Sequence, residues 1–241
     1  MGNIFKVFFN ISSLLILSSC DVFLAQKKDA FDCESHLEEV YAKSPLNNFE
    51  QTKFKDLLEN RFPKFKEMFK KASEETLIDT DLLAAISFQE SQWDPKAKSN
   101  MGVRGMMMVT LETAAIVGVE KRLNPEQNIM GGARYLAMLK ERNIYGKTTA
   151  DQLSISLAKY NLGPTNIINI AKEIGKEPDE ITWLDLEDKL KNISGEDVNL
   201  IDVNGYSRGQ QAIDYVYRVK SYYNLLAAHS CTKPKDQLTF F

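Results

Sequence analysis

The chain has 241 residues, 44% of them hydrophobic and 26% charged, with a net charge of -3. That is an ordinary globular composition with material for one substantial core, and its near-neutral balance leaves no nucleic-acid footprint. The two histidines, His36 and His229, lie far from the motif-rich middle of the chain, so a Ser-His-Asp or Cys-His hydrolase or a His-based zinc peptidase is unsupported. No glycine-rich phosphate loop or EF-hand pattern occurs, so neither cofactor nor metal is implied.

Residues 1-20 read as an export signal: Lys6, a short apolar run from Val7 to Leu17, then Leu17-Ser18-Ser19-Cys20. The run is too short to cross ~30 Å of hydrocarbon as a helix. Its last four residues resemble a bacterial lipobox, in which Cys20 is lipidated and becomes the mature N-terminus. The alternative is a secretory peptide cut later, after Ala25. With Cys20 so used, Cys33 and Cys231 are left as a disulfide candidate suited to an oxidising compartment, against the reading of two unrelated thiols.

Residues 21-73 read as a helical extension packed on the domain that follows. Leu37, Val40 and Tyr41 predict a helix stopped by Pro45, and Phe54, Leu57 and Leu58 a second ending between Asn60 and Pro63. Phe65, Met68, Phe69 and Ala72 predict a third. The lysines here are interleaved with acids and read as a solvated face rather than an anionic-polymer site.

The main domain is expected over residues 74-228. Asp79 or Thr80 caps a helix whose Leu82, Leu83, Ile86 and Trp93 form its apolar stripe, and Pro95 ends it. Glu90 falls on or beside that stripe at the C-terminal end, where desolvation and the helix dipole both disfavour a carboxylate. Such a glutamic acid is a candidate proton donor near neutral pH. The following loop carries Gly102 and Gly105, which let backbone approach a ligand closely, and then Met106, Met107 and Met108, of which at least one reads as core filler.

Thr110 to Val117 reads as a short helix. Asn124-Pro125-Glu126 starts another turn, and Gly131 to Glu141 continues as an amphipathic helix with Tyr135, Leu136 and Leu139 inward, its glycines costly there unless close packing requires them. Thr149 to Tyr160 is a buried helix delivering Tyr160 and Asn161 to its end. Ile167 to Ile174, Trp183 to Leu190 and Tyr206 to Ala227 complete the helices. Tyr215 lies beside the stripe of the last, equally suited to core or site. Residues 229-241 form a tail.

Glu90-Ser91, Trp93-Asp94-Pro95, Gly102, Gly105 and Met107, then Asn124 to Ile129 with Gly131 to Leu136, then Ala158 to Gly163, then Tyr215-Val216 resemble the ordered motifs of the family 1 lytic transglycosylases. The resemblance runs from about Phe65 to Leu226. The Gly105-Met106-Met107-Met108 variant and Gly205 to Gly209 point to a membrane-bound branch of that family. It implies a mainly α, goose-type lysozyme-like domain with at most a small β element. It implies a carbon-oxygen lyase that cleaves the MurNAc-GlcNAc bond of peptidoglycan without water, leaving 1,6-anhydro ends. Glu90 is then the catalytic acid and base, and Ser91, Met107, Met108, Tyr160, Asn161 and Tyr215 are candidate substrate-site residues. Most of the family has Gln where Met108 stands, which removes a possible bond to sugar. The implied partners are peptidoglycan strands and, through lipid on Cys20, an inner or outer membrane facing the periplasm, or none if the chain is secreted. A monomer is expected. A hydrolytic muramidase of the same fold and a non-catalytic peptidoglycan-binding lipoprotein are the alternatives.

Overall fold

The computed structural model describes residues 32–99, 102–192 and 207–231. The expected export signal, Cys20, the Gly205-Tyr206 pair and the tail beyond Cys231 lie outside them. The described residues form ten α-helices: α1 Cys33–Lys43, α2 Asn48–Asn60, α3 Lys66–Thr76, α4 Thr80–Ser91, α5 Leu111–Val117, α6 Pro125–Glu141, α7 Thr149–Leu162, α8 Pro164–Lys172, α9 Trp183–Lys191 and α10 Arg208–His229. Among the described residues the β structure is limited to isolated antiparallel bridges, Lys98 with Arg104 and Arg104 with Val109. The mainly helical expectation with a small β element therefore describes the fold.

Every residue of α4 from Leu82 to Phe88 is buried. A helix apolar on all sides belongs inside a domain, and α4 packs along α10, with α3 against its other side. Helix α7 packs on α6, α8 and α10, α9 lies over α7, α8 and α10, and α1 runs against α10. Asp79 starts α4 by accepting from the Asp81 amide at 2.9 Å, and Thr110 starts α5 by accepting from the Thr113 amide at 2.9 Å. Asn47, Thr148 and Thr182 form reciprocal capping boxes with Glu50, Asp151 and Asp185.

The helices ahead of α4 are joined to it by aromatic rings. Phe54 of α2 packs 5.0 Å from Phe88 and 5.5 Å from Tyr222, and Phe62 lies 4.8 Å from Trp93, all centroid to centroid. Helix α3 runs unbroken across the 73/74 boundary drawn from the sequence and packs on both α4 and α6. Helix α6 is also one piece from Pro125 to Glu141, as the sequence predicts, with both glycines in its interior. Both its glycines are close-packing sites: a Cβ on Gly131 would sit 2.4 Å from a Val119 methyl, and one on Gly132 would sit 2.5 Å from the Met107 Cβ.

A disulfide joins Cys33 at the start of α1 to Cys231 beyond α10, with Cα atoms 5.4 Å apart. Nearby, the Tyr41 hydroxyl and His229 Nε2 are hydrogen-bonded at 2.7 Å. The bond closes nearly the whole described chain into one loop, which removes much unfolded-state freedom. Replacing both cysteines by serine is expected to lower the free energy of unfolding by about 3 kcal/mol. Denaturant titration of the two proteins checks this.

Candidate active site

Helix α4 stops where its sequence requires it. Gln92 and Trp93 both take left-handed backbone, with φ of 54° and 58°, an unfavourable conformation for side chains of this size. Burial of the Trp93 indole offsets it: the side chain is fully enclosed and its Nε1 donates to the Ala84 carbonyl at 2.9 Å. Arg61 secures the turn by donating to the Gln92 carbonyl at 2.9 Å. Asp94 accepts from the Lys96 amide at 2.9 Å, so its carboxylate serves the turn. Glu90 is thereby left in the last turn of a buried helix, at the rim of the loop that follows.

Glu90 keeps some surface exposure, but its carboxyl is walled in. Burial pushes its pKa up to about 7, while the Tyr215 hydroxyl acts in the opposite direction. Such a group is protonated over a useful fraction of molecules at neutral pH, and its conjugate base is strong enough to accept a proton afterwards.

The charge of Glu90 reaches two tyrosines. Both have pKa values raised well above the usual phenol, first by burial and then by the Glu90 charge, so both stay protonated. They are used differently. Tyr160 of α7 donates its hydroxyl proton to the Met107 carbonyl at 2.9 Å and packs its ring 5.4 Å from Tyr135. The buried Tyr215 hydroxyl makes no hydrogen bond of regular geometry, yet it and Glu90 are near enough for each to change the other's proton affinity. It is a donor in reserve for the carboxylate form.

Residues 105–108 make a tight turn, closed by the Met108 amide donating to the Gly105 carbonyl at 3.1 Å. Gly105 has φ of 84°, and a Cβ there would lie 2.3 Å from Asn128 Nδ2. The Met106 carbonyl accepts from Ser91 Oγ at 2.8 Å and from Ser87 Oγ at 3.1 Å. Asn128, fully buried on α6, accepts from the Met107 amide at 2.7 Å and donates to the carbonyls of Arg104 at 3.0 Å and Arg122 at 2.9 Å.

These positions redistribute the residues expected from the sequence. Glu90, Tyr160 and Tyr215 come together. Ser91 stands beside them, but its hydroxyl proton is spent on main-chain carbonyls, fastening α4 to the turn rather than facing sugar. Met107 is fully buried with its side chain against Gly132, and its main-chain carbonyl and amide are bonded to Tyr160 and Asn128. Met108 is half-buried with φ of 45°, and Asn161 is exposed at the end of α7. Asn128 and Ser87 were not singled out from the sequence. A polar residue inside a helix next to buried Ile129 was the available signal for Asn128, since asparagine is a poor interior helix residue. Among the described residues no group of three or more His, Cys, Asp or Glu could hold a metal ion, and no helix is long and apolar enough to cross a membrane.

The mainly helical fold, with one walled-in glutamic acid at the end of its central helix, is lysozyme-like. Its fold matches that of the 70 kDa soluble lytic transglycosylase from Escherichia coli, with a TM-score of 0.52 at 22% identity over 70% of this chain and 25% of that one. Residues 67–182 match the family model described as the transglycosylase SLT domain, and the chain carries that domain. It is 40% identical over 172 residues to membrane-bound lytic murein transglycosylase F 2 of Alkalilimnicola ehrlichii, covering 70% of this chain and 38% of the relative. It is 36% identical over 216 residues to membrane-bound lytic murein transglycosylase F of Hahella chejuensis, covering 88% of this chain and 42% of the relative. The chain thus spans about two fifths of the length of these curated relatives.

The raised Glu90 pKa has a cost with a defined pH dependence. Below the ordinary glutamate value the carboxyl is neutral whether folded or unfolded, and no penalty exists. As pH rises from there through about 7, the unfolded chain releases its proton more readily than the folded one, so the folded state loses stability relative to acid pH. Glu90→Gln is therefore expected to stabilise the protein by roughly 1–3 kcal/mol at pH 8 and by little at pH 4. Thermal or denaturant unfolding at the two pH values measures the difference.

Proposed function

We propose that this chain is a peptidoglycan lytic transglycosylase that cleaves the MurNAc-β-1,4-GlcNAc bond and leaves 1,6-anhydroMurNAc ends. The observation that carries the reading is the single enclosed acid. Glu90 is poised to give and take one proton, while the nearby Asp94 carboxylate is engaged by the Lys96 amide. Glycosidases that hydrolyse with two carboxylates need the second to attack or to activate water. One acid suffices when the substrate supplies its own nucleophile.

In the first half of the reaction Glu90 gives its proton to the bridging oxygen. The C1–O bond of MurNAc breaks with its electron pair leaving on the GlcNAc hydroxyl. The carbonyl oxygen of the MurNAc N-acetyl group supports the positive charge at C1. The Glu90 carboxylate then takes the proton of the MurNAc C6 hydroxyl as that oxygen bonds to C1, closing the anhydro ring and restoring the acid. The Tyr215 hydroxyl is placed to stabilise Glu90 while it is ionised between the two steps. No water is consumed. The half-buried Met108 and the exposed Asn161 are candidate sugar contacts.

A cell-envelope location fits this activity. It is supported by the disulfide, which suits an oxidising compartment, and by the lipobox-like sequence ending at Cys20. We place the protein on the periplasmic side, held to a membrane by lipid on Cys20, as a monomer.

The test is mass spectrometry of fragments released from purified peptidoglycan by residues 21–241, beside the Glu90→Gln variant. The expected fragments are one water lighter than hydrolysis products and are absent with the variant. Reducing ends would make the enzyme a muramidase, and binding without Glu90-dependent release would make it a binding module. Tyr215→Phe is expected to keep the anhydro product. Losing the reserve donor should raise the Glu90 pKa and lower the maximal rate roughly tenfold or more.

A further inference from the structure

Helix α6 is used on two faces. Asn128 and Gly132, four residues apart, face the 105–108 turn, whereas Glu126, Met130 and Arg134 repeat at the same interval on the opposite face, toward α3. Between that face, α3 and the α5 to α6 connection lies a cavity of about 320 Å³, a volume that suits a small ligand. It is separate from the site around Glu90, for neither Glu90, Tyr160 nor Tyr215 lines it.

The cavity has an apolar base and a charged wall. Val119 and Met130, which form the base, are both buried. Two ion pairs cross from α3 to α6: Lys71 bonds Glu126, and Arg134 Nε donates to Glu75 at 2.6 Å. Arg134 Nη1 also donates to the Val117 carbonyl at 3.2 Å, so the guanidinium is fixed from two sides and its Nη2 hydrogens have no partner among the described residues. The third carboxylate of the wall, that of the exposed Glu120, enters no ion pair among the described residues. Three carboxylates against two cations leave the lining one negative charge in excess.

Such a wall offers complementary places for both signs of charge. An ammonium group answers Glu120, a carboxylate answers the open edge of Arg134, and an aliphatic stem covers Val119 and Met130. A simple anion meets the excess of carboxylates, and a simple amine leaves the Arg134 edge unfilled. The group that carries all of these features is an α-amino acid head on an alkyl chain. In peptidoglycan it is the free end of the diamino acid of an uncrosslinked stem peptide.

We propose that this cavity binds a zwitterionic amino-acid head on an aliphatic stem, supplied by the stem-peptide diamino acid of peptidoglycan. The site holds the polymer away from the bond that is cut and touches no reacting atom. The choice of source rests on the reading of peptidoglycan as the substrate, while the binding itself is measured without turnover.

The experiment is an amide NMR titration of residues 21–241 carrying Glu90→Gln. The probes are the tripeptide L-alanyl-γ-D-glutamyl-meso-diaminopimelate, pimelate, which lacks the ammonium groups, and cadaverine, which lacks the carboxylates. The tripeptide is expected to shift the amides of Val119, Glu120 and Arg134 with a saturable Kd of about 1 mM or tighter, and the other two to bind roughly tenfold more weakly or worse. Adding Glu120→Gln, which alters an exposed side chain, is expected to weaken the tripeptide about tenfold without unfolding the protein. No saturable shift at these amides, equal binding of pimelate or cadaverine, or undiminished binding after Glu120→Gln overturns the proposal. Free meso-diaminopimelate binding more tightly than the tripeptide overturns the stem peptide as the source. Loss of anhydro products with tripeptide binding intact would instead refute the transglycosylase reading alone.

Discussion

Ser87 and Ser91 both give their hydroxyl protons to one carbonyl, that of Met106, and this pair of bonds fixes the distance between the end of the central helix and the turn that follows it. Everything else about the site depends on that distance. Buried carbonyls left without donors cost on the order of 1–3 kcal/mol each, so a turn of four residues buried among three helices must find partners from those helices. It does so at the Met106 carbonyl, the Met107 amide and the Met107 carbonyl. The partners it finds are Ser87 and Ser91 of the helix that carries Glu90, Asn128, and Tyr160, whose proton affinity the Glu90 charge raises. Satisfying the backbone of the turn and positioning the groups proposed to act in catalysis are therefore one and the same requirement.

The methionines show the same economy from the side of packing. Met106 and Met107 are fully enclosed, and the unbranched Met107 side chain lies on the one stretch of α6 where a Cβ is missing. Two adjacent glycines in a helix cost helix stability, roughly 1 kcal/mol apiece relative to alanine. Here they allow α6 to approach both the turn and the α5 to α6 connection. The close approach is what brings Asn128 within reach of the Met107 amide. Bulk on α6 at Gly132 and loss of the amide at Asn128 would disturb the same contact from neighbouring positions.

How much of this was legible in the sequence divides along the same line. Glu90 could be read because the features that shift its proton affinity are local: the apolar stripe beneath it, the helix end and Pro95 all lie within a few residues. The caps at Asp79 and Thr110 and the ends of α1, α2 and α9 were legible for the same reason. What could not be read were choices made by tertiary contact. Ser91 stands in a motif that invites a role toward substrate, but its hydroxyl is claimed by a carbonyl 15 residues away. Met107 looks as available as Met108 until α6 covers it. Gly131 and Gly132 read as costly inside a helix unless close packing requires them, and the proximity of Val119 and Met107 identifies what they pack against. Asn128 stands within a motif and yet received no role, because its partners at 104, 107 and 122 are brought to it by the fold.

In the proposed reaction one buried carboxyl group must serve both halves of a proton-transfer cycle. An acid enclosed in protein is easily kept neutral, since desolvation alone achieves that, but the same desolvation opposes the carboxylate that must exist after the proton has gone. Tyr160 has its proton committed to the Met107 carbonyl, whereas Tyr215 has a hydroxyl without a regular partner. Burial pushes the Glu90 pKa up and the Tyr215 hydroxyl works against it, so a value near neutrality is the outward sign of that opposition.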